Sequence, residues 1–170
     1  ILTLFGKSDI PIIIWVTPEG ASATSAGAII SSGAHFLFMS PGTNMGAAAP
    51  VMMGGDIDKN PAGKEKAKAA SSDMKKKAVN DLVALVQSLS TARGRNGKLF
   101  GEMISKASSF TSEEGLKKNI INGIAHNEKD VWNFLNKKTV TIKGSQMNII
   151  SDRTPMLIKV TMSIGQTILN

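Results

Sequence analysis

Ser25 has the setting of a nucleophile. It lies in Gly20-Ala21-Ser22-Ala23-Thr24-Ser25-Ala26-Gly27, after an apolar run and where a small-residue helix is expected to start. A strand-to-helix turn exposes a hydroxyl, and the N–H groups of the first helical turn have no partners within the helix. They can therefore hold an oxyanion, with Ala26 N–H the donor beside Ser25. Small neighbours let a peptide carbonyl approach. The same Ser, Ala and Gly residues would also suit a helix packed tightly on a sheet, with Ser22 and Ser25 only filling space.

A serine hydroxyl needs a base. His35 and His126 lie far apart and outside any ligand-like spacing, so each is expected to be a packed or surface histidine and no metal site is expected. The chain has no cysteine, which excludes thiolate nucleophiles, disulfides and Cys-ligated metals. Lysine is left. Burial disfavours its charged form and so turns it into a base. Lys75, Lys76 and Lys77 open a helical segment, where the ordinary role of a lysine is a solvated charge.

The elements that must position these groups are read from pattern. Ile10 to Val16 is apolar, β-branched and without alternation, as in a central parallel strand covered on both faces. Pro18-Glu19-Gly20 breaks the chain, Ala21 to Ser32 reads as a buried helix, and Phe36 to Met39 is a second strand ending at Pro41-Gly42. A strand, helix, strand unit implies an α/β layered fold. Met53 to Ala70 shows no period and reads as a loop. From Ser72 to Ala92, Val79, Leu82, Val83, Val86 and Leu89 recur at helical spacing up to Gly94. Another helix is expected over Lys98 to Ser108. Thr111 and Glu114 then form a T-x-x-E capping box that starts a short helix, Asn119 to Ala125 reads as a strand, and Glu128 to Asn136 reads as a helix. Thr139 to Lys143 and the stretch through Ile150 suggest a hairpin, and Pro155 to Asn170 a strand, an interfacial segment or a membrane-proximal tail.

Composition narrows the function classes. With 42% hydrophobic and 19% charged residues over 170 positions, one globular domain is expected. The net charge of +7 invites a polyanion partner, but seven lysines fall between Lys59 and Lys77 with no aromatic residue among them for base stacking, so nucleic-acid binding is not expected. No run reaches the roughly 20 apolar residues of a membrane span. The chain begins at Ile1 without an initiator Met, and is expected to be a fragment of a longer protein.

Three segments between Pro11 and Pro50 read P-I-I-I-W-V, G-A-S-A-T-S-A-G and S-P-G-T-N-M-G-A-A-A-P. S-L-S-T-A-R-G-R-N follows from Ser88 to Asn96, and E-E-G-L-K-K-N-I-I-N from Glu113. In this order they resemble the protease domain of NfeD-type membrane-associated serine proteases, distantly like ClpP. The resemblance runs from about Ile10 to Lys143. It implies a ClpP/crotonase-like layered sheet with flanking helices, with Ser25 as nucleophile of a Ser/Lys dyad. The family's lysine lies about 17 residues before the glycine of its G-R-N turn, which from Gly94 gives Lys77. Helical period instead puts Lys75 and Lys76 on the apolar stripe and Lys77 toward Asp81 and Ala84, so Lys76 stands as the alternative base. Family members also carry an upstream Gly-Gly segment that supplies a second oxyanion donor, and this chain starts after its place.

The resemblance implies a serine endopeptidase, without cofactor or metal, that cleaves apolar peptide segments, including those of stomatin-like membrane partners. It implies a homodimer or higher oligomer and a membrane-associated protein with its protease domain on the extracytoplasmic side. Residues 1–145 are expected to form the protease domain, 146–170 a C-terminal hairpin or tail, and 54–72 a mobile loop. Two rivals are a crotonase-fold acyl-CoA enzyme and a non-catalytic assembly domain.

Overall fold

The computed structural model describes residues 1–50, 64–149, 158 and 160; in the helix that begins at Lys64, side chains are described at 73, 74 and from 76 onward. A first helix, α1 (Leu2–Lys7), leads into β1 (Ile13–Val16). The chain continues through β2 (Ser22–Thr24), α2 (Ala26–Ser32), β3 (Phe36–Met39) and β4 (Asn44–Gly46). The long α3 (Lys64–Ala92) and α4 (Gly97–Ser105) follow, then β5 (Ser109–Thr111), α5 (Ser112–Lys117), β6 (Gly123–Ile124), α6 (Glu128–Leu135) and a hairpin of β7 (Thr139–Ile142) and β8 (Ser145–Asn148).

The apolar runs without alternation have a direct structural cause. β1, β3 and β6 form a parallel sheet in the order β1-β3-β6, with Ile13 opposite Phe36 and Phe38 opposite Gly123. On one face, Leu37 and Met39 of β3 and Ile14 and Val16 of β1 pack with Ala28 of α2, Val86 of α3, and Phe100 and Met103 of α4. On the other face, Phe36, Phe38, Ile13 and Trp15 meet Val131 and Leu135 of α6 and Val140 and Ile142 of β7. Phe134 of α6 sets its ring edge against Phe38, centroids 5.2 Å apart. A strand with apolar layers above and below has no polar face to alternate with. The fold is thus α/β, a sheet between helical layers.

Four expectations change. β1 is an edge strand of its sheet among the described residues, and β3, fully buried along its length, is central. β1 reads as central because it too is covered on both faces, and face burial, unlike edge pairing, is what apolar pattern reports. The segment from Ala21 is not all helix: Ser22–Thr24 extends to pair in parallel with β4, which pairs antiparallel with β5. α3 starts at Lys64 rather than Ser72, since Lys, Glu and Ala between 64 and 70 are strong helix formers despite lacking an apolar stripe. Finally, the strand expected over Asn119 to Ala125 shrinks to Gly123–Ile124.

The remaining local signals map directly. α3 ends at Ala92 and Gly94 takes φ 74°, the left-handed geometry that a glycine reaches without cost. Thr111 accepts from Glu114 N while the Glu114 carboxylate accepts from Thr111 N, closing the capping box on α5. The part of the expected loop over 54–63 lies outside the described residues, as does the tail from 150 onward except Ile158 and Val160, both exposed.

Candidate active site

Ser25 is the residue between β2 and α2, and its backbone is unusual. At φ 51° and ψ −118° it occupies a region that residues with a Cβ rarely adopt, at a cost on the order of 1–3 kcal/mol. Its N–H donates to the Gly46 carbonyl at 3.3 Å, and its own carbonyl accepts from Ile29 N at 3.3 Å. The strand is thereby turned abruptly into the helix and the side chain is left exposed. A strained strand-to-helix turn of this kind is a known means of presenting a nucleophilic hydroxyl. Ala26, also exposed, opens α2, and its N–H belongs to the first turn, which has no acceptor within the helix.

Gly46 makes that turn possible from the other side. Its φ of 143° suits glycine, and a Cβ there would overlap the Ser108 carbonyl and lie 2.6 Å from Ser109 Cα, where β5 runs against β4. The sequence reading did not single out Gly46 as part of the site. A glycine ending a short extended stretch was the available signal.

Beside the turn, Ile14, Val16, Ala21, Ala23, Gly27 and Ile30 line most of a depression of about 320 Å³ that opens between the β1 edge and α2. Ala23 and Gly27 lie two residues to either side of Ser25 in sequence, and Ser25 itself does not line the hollow. Its size and lining suit an aliphatic side chain.

The lysines stand differently. α3 packs on α2 and α4 through Val79, Leu82, Val83 and Val86, which brings its middle to the Ser25 helix. Lys76 and Lys77 precede that contact and are both exposed, and no hydrogen bond joins either of them to Ser25 among the described residues. The described residues therefore do not supply the burial that a lysine base requires. The side chain of Lys75 lies outside the described residues.

His35 is structural and His126 lies on the surface. His35 is 5% exposed, and its Nδ1 accepts from Ile12 N at 3.0 Å, tying the start of β1 to β3. Burial first, and then the positive charges of Arg93 and Arg95, pull its pKa from 6.5 to about 4. It is neutral at neutral pH and already occupied as an acceptor. His126 is exposed, with its backbone N–H held by the Asp130 carboxylate. No group of three or more His, Cys, Asp or Glu among the described residues is arranged to hold a metal.

Comparison with known proteins sets this geometry in a lineage. No protein-family model matches the chain. It is 37% identical over 134 residues to the membrane-bound protease PH1510 of Pyrococcus horikoshii, a match that takes in 77% of this chain and 26% of that protein. The chain thus spans about a quarter of the length of that curated relative. Among solved structures, it superposes on the 1510-N membrane-bound stomatin-specific protease in a serine-to-alanine mutant with a TM-score of 0.70 and 30% identity, covering 88% of this chain and 68% of that one. A lysine-to-alanine mutant of the same protease, in complex with a substrate peptide, gives a TM-score of 0.77 at 28% identity over 99% of this chain and 72% of that one. The 1510-N protease described as specific for a stomatin homolog from Pyrococcus horikoshii gives 0.73 at 25% identity, over 99% of this chain and 70% of that one. With a strained serine at the start of α2 and this degree of likeness, the chain belongs to the NfeD-type family of membrane-associated serine proteases, and its fold is that of their ClpP-like protease domain.

Proposed function

We propose that this chain is the catalytic domain of a serine endopeptidase that cleaves apolar peptide segments with a Ser25/Lys77 dyad. The observation that carries the reading is that Ser25 is exposed and held at φ 51° on a strand-to-helix turn. The relatives support it further: one solved form carries a serine mutation, and another pairs a lysine mutation with a bound substrate peptide.

In this mechanism Ser25 Oγ attacks the scissile carbonyl carbon while a neutral Lys77 amine takes the hydroxyl proton. The oxyanion is held in part by Ala26 N–H. Collapse of the tetrahedral adduct breaks the C–N bond, and the lysine returns its proton to the departing amine. Water, deprotonated by the same lysine, then attacks the acyl-enzyme ester and regenerates Ser25. Lys77 is exposed in the single chain, and the working protease is a dimer or higher oligomer in this reading.

Residues 1–145 make up the protease domain in this reading, and 146–170 the C-terminal hairpin strand and tail. No helix among the described residues is long and apolar enough to cross a membrane. The parent protein is proposed to be membrane-associated, with this domain on the extracytoplasmic side and stomatin-like proteins among its substrates.

The test is cleavage of an apolar peptide by wild type, Ser25→Ala, Lys77→Ala and Lys76→Ala. Loss of about 10³-fold or more in Ser25→Ala and Lys77→Ala, with Lys76→Ala active, supports the dyad. Loss in Lys76→Ala with Lys77→Ala active moves the base by one residue, and undiminished cleavage by Ser25→Ala overturns the reading.

A further inference from the structure

Arg95 occupies the turn between α3 and α4 and is only 4% exposed. Its Nη2 donates to the carbonyls of Ser32 and Ala34 at 2.9 Å each and of Ser31 at 3.3 Å, where α2 ends. Its Nη1 reaches Asn122 Oδ1 at 3.4 Å, and that same oxygen accepts from Leu37 N of β3 at 2.8 Å. The guanidinium also lies over the Phe100 ring, 5.8 Å from its centroid. No carboxylate pairs with it among the described residues; its titratable neighbours are the Arg93 cation and the neutral His35. Burial and then Arg93 bring its pKa down to about 10, so it remains a cation at neutral pH.

A buried cation without a counter-ion is costly unless fixed dipoles take the place of water. Here three carbonyls at one helix end do so, and the planar fork of the guanidinium is what allows one group to meet all of them and Asn122 together. A charge that expensive is not needed merely to end a helix, which Gly33 already does by donating to Ile30 O. What Arg95 adds is a rigid connection from α2 to β3, to the approach to β6 and to the α3–α4 turn.

We propose that Arg95 is a positioning residue for Ser25, acting through α2. The inference rests on the protease reading above. α2 has seven residues and so spans about 10 Å, with Ser25 at its start and the Arg95 acceptors at its finish. A rod that short transmits a tilt at one end to the other, and a displacement of about 1 Å at a reacting atom costs on the order of 10²-fold in rate. Arg95 therefore holds the hydroxyl in register with the substrate carbonyl without touching either.

The experiment uses the full chain and measures kcat and KM on an apolar peptide, and the rate of covalent labelling by a fluorophosphonate. It compares wild type, Arg95→Lys, Arg95→Met and Asn122→Ala at a temperature where circular dichroism shows each to be folded. The inference expects Arg95→Met to lose about 30-fold or more in kcat and in labelling rate with KM within about 3-fold. Arg95→Lys, which keeps the charge and part of the hydrogen bonding, should recover most of that loss. Wild-type kcat in folded Arg95→Met, or a loss carried by KM alone, overturns it. Should Arg95→Met not fold, Asn122→Ala, which removes one Arg95 partner, decides: wild-type kcat and labelling overturns the inference, and a kcat-specific loss upholds it. If wild type neither cleaves nor is labelled at Ser25, the protease reading itself has failed, an outcome distinct from a working wild type matched by its Arg95 variants.

Discussion

The Ser25 N–H donates to the Gly46 carbonyl at 3.3 Å, joining the residue just before α2 to the last residue of β4. The parallel pairing of β2 with β4, Thr24 opposite Gly46, places that carbonyl there. β4 is in turn held by β5, Gly46 opposite Ser109. The candidate nucleophile is thus oriented by a sheet and not by its own helix alone, which explains how its backbone is kept at a φ of 51°.

Gly46→Ala should damage both stability and activity. The added Cβ meets backbone of Ser108 and Ser109, which cannot rotate away, and alanine is strained at φ 143°. A loss of about 2 kcal/mol or more is expected by denaturant unfolding. Peptide cleavage under conditions where the variant is folded should fall as well, because the acceptor for Ser25 N–H moves. A variant as stable as wild type would show that β4 and β5 separate more easily than described.

Ser25→Gly should stabilise the fold while abolishing cleavage. Glycine reaches φ 51° freely, so removing the Cβ relieves strain worth about 1 kcal/mol, less the extra flexibility that glycine gives the unfolded chain. Ser25→Ala keeps the strain and should sit near wild type in stability, with the same loss of activity. The two midpoints from chemical denaturation decide the matter: Ser25→Gly below Ser25→Ala would mean that strain at the turn is smaller than the entropy glycine adds to the unfolded chain.

His35 should make stability depend on pH below neutrality. Its folded pKa, about 4, lies below the ordinary 6.5, so between those values the unfolded chain binds the extra proton. The contribution is complete above about 6.5, declines as pH falls and is gone below about 4; its size is at most ~3 kcal/mol. Unfolding curves of wild type and His35→Gln across that range should converge toward acid. Curves that stay parallel would rule out a neutral, buried His35.

Thr111→Ala should cost about 1 kcal/mol, since it removes the side-chain acceptor for Glu114 N and leaves the reciprocal Glu114 bond to hold α5 alone. Glu114→Ala removes the other half, and the double variant should lose less than the sum if the two bonds support each other. Thermal unfolding of the three variants measures this, and strict additivity would count against a cooperative cap.

Local order was legible where a short stretch of residues carries its own reason. Phe36 to Met39 is apolar on both sides because both faces are covered, Val79 to Val86 repeats because one side of α3 is buried, and Thr111 with Glu114 caps a helix by direct contact. The motif around Ser25, between an apolar run and a small-residue helix, belongs to the same class. Pairings between distant residues left no such period. That Ser22–Thr24 extends to meet Asn44–Gly46, that β1 lies at an edge and β3 at the centre, and that the Arg95 guanidinium ends at the carbonyls of Ser31, Ser32 and Ala34 were decided only by tertiary structure. The sequence by itself determined which residues must be buried, where α3 ends and where α5 begins, because those follow from neighbours along the chain. Which buried groups face one another depends on sheet register and on where polar groups find partners, and both are settled only when the whole chain closes.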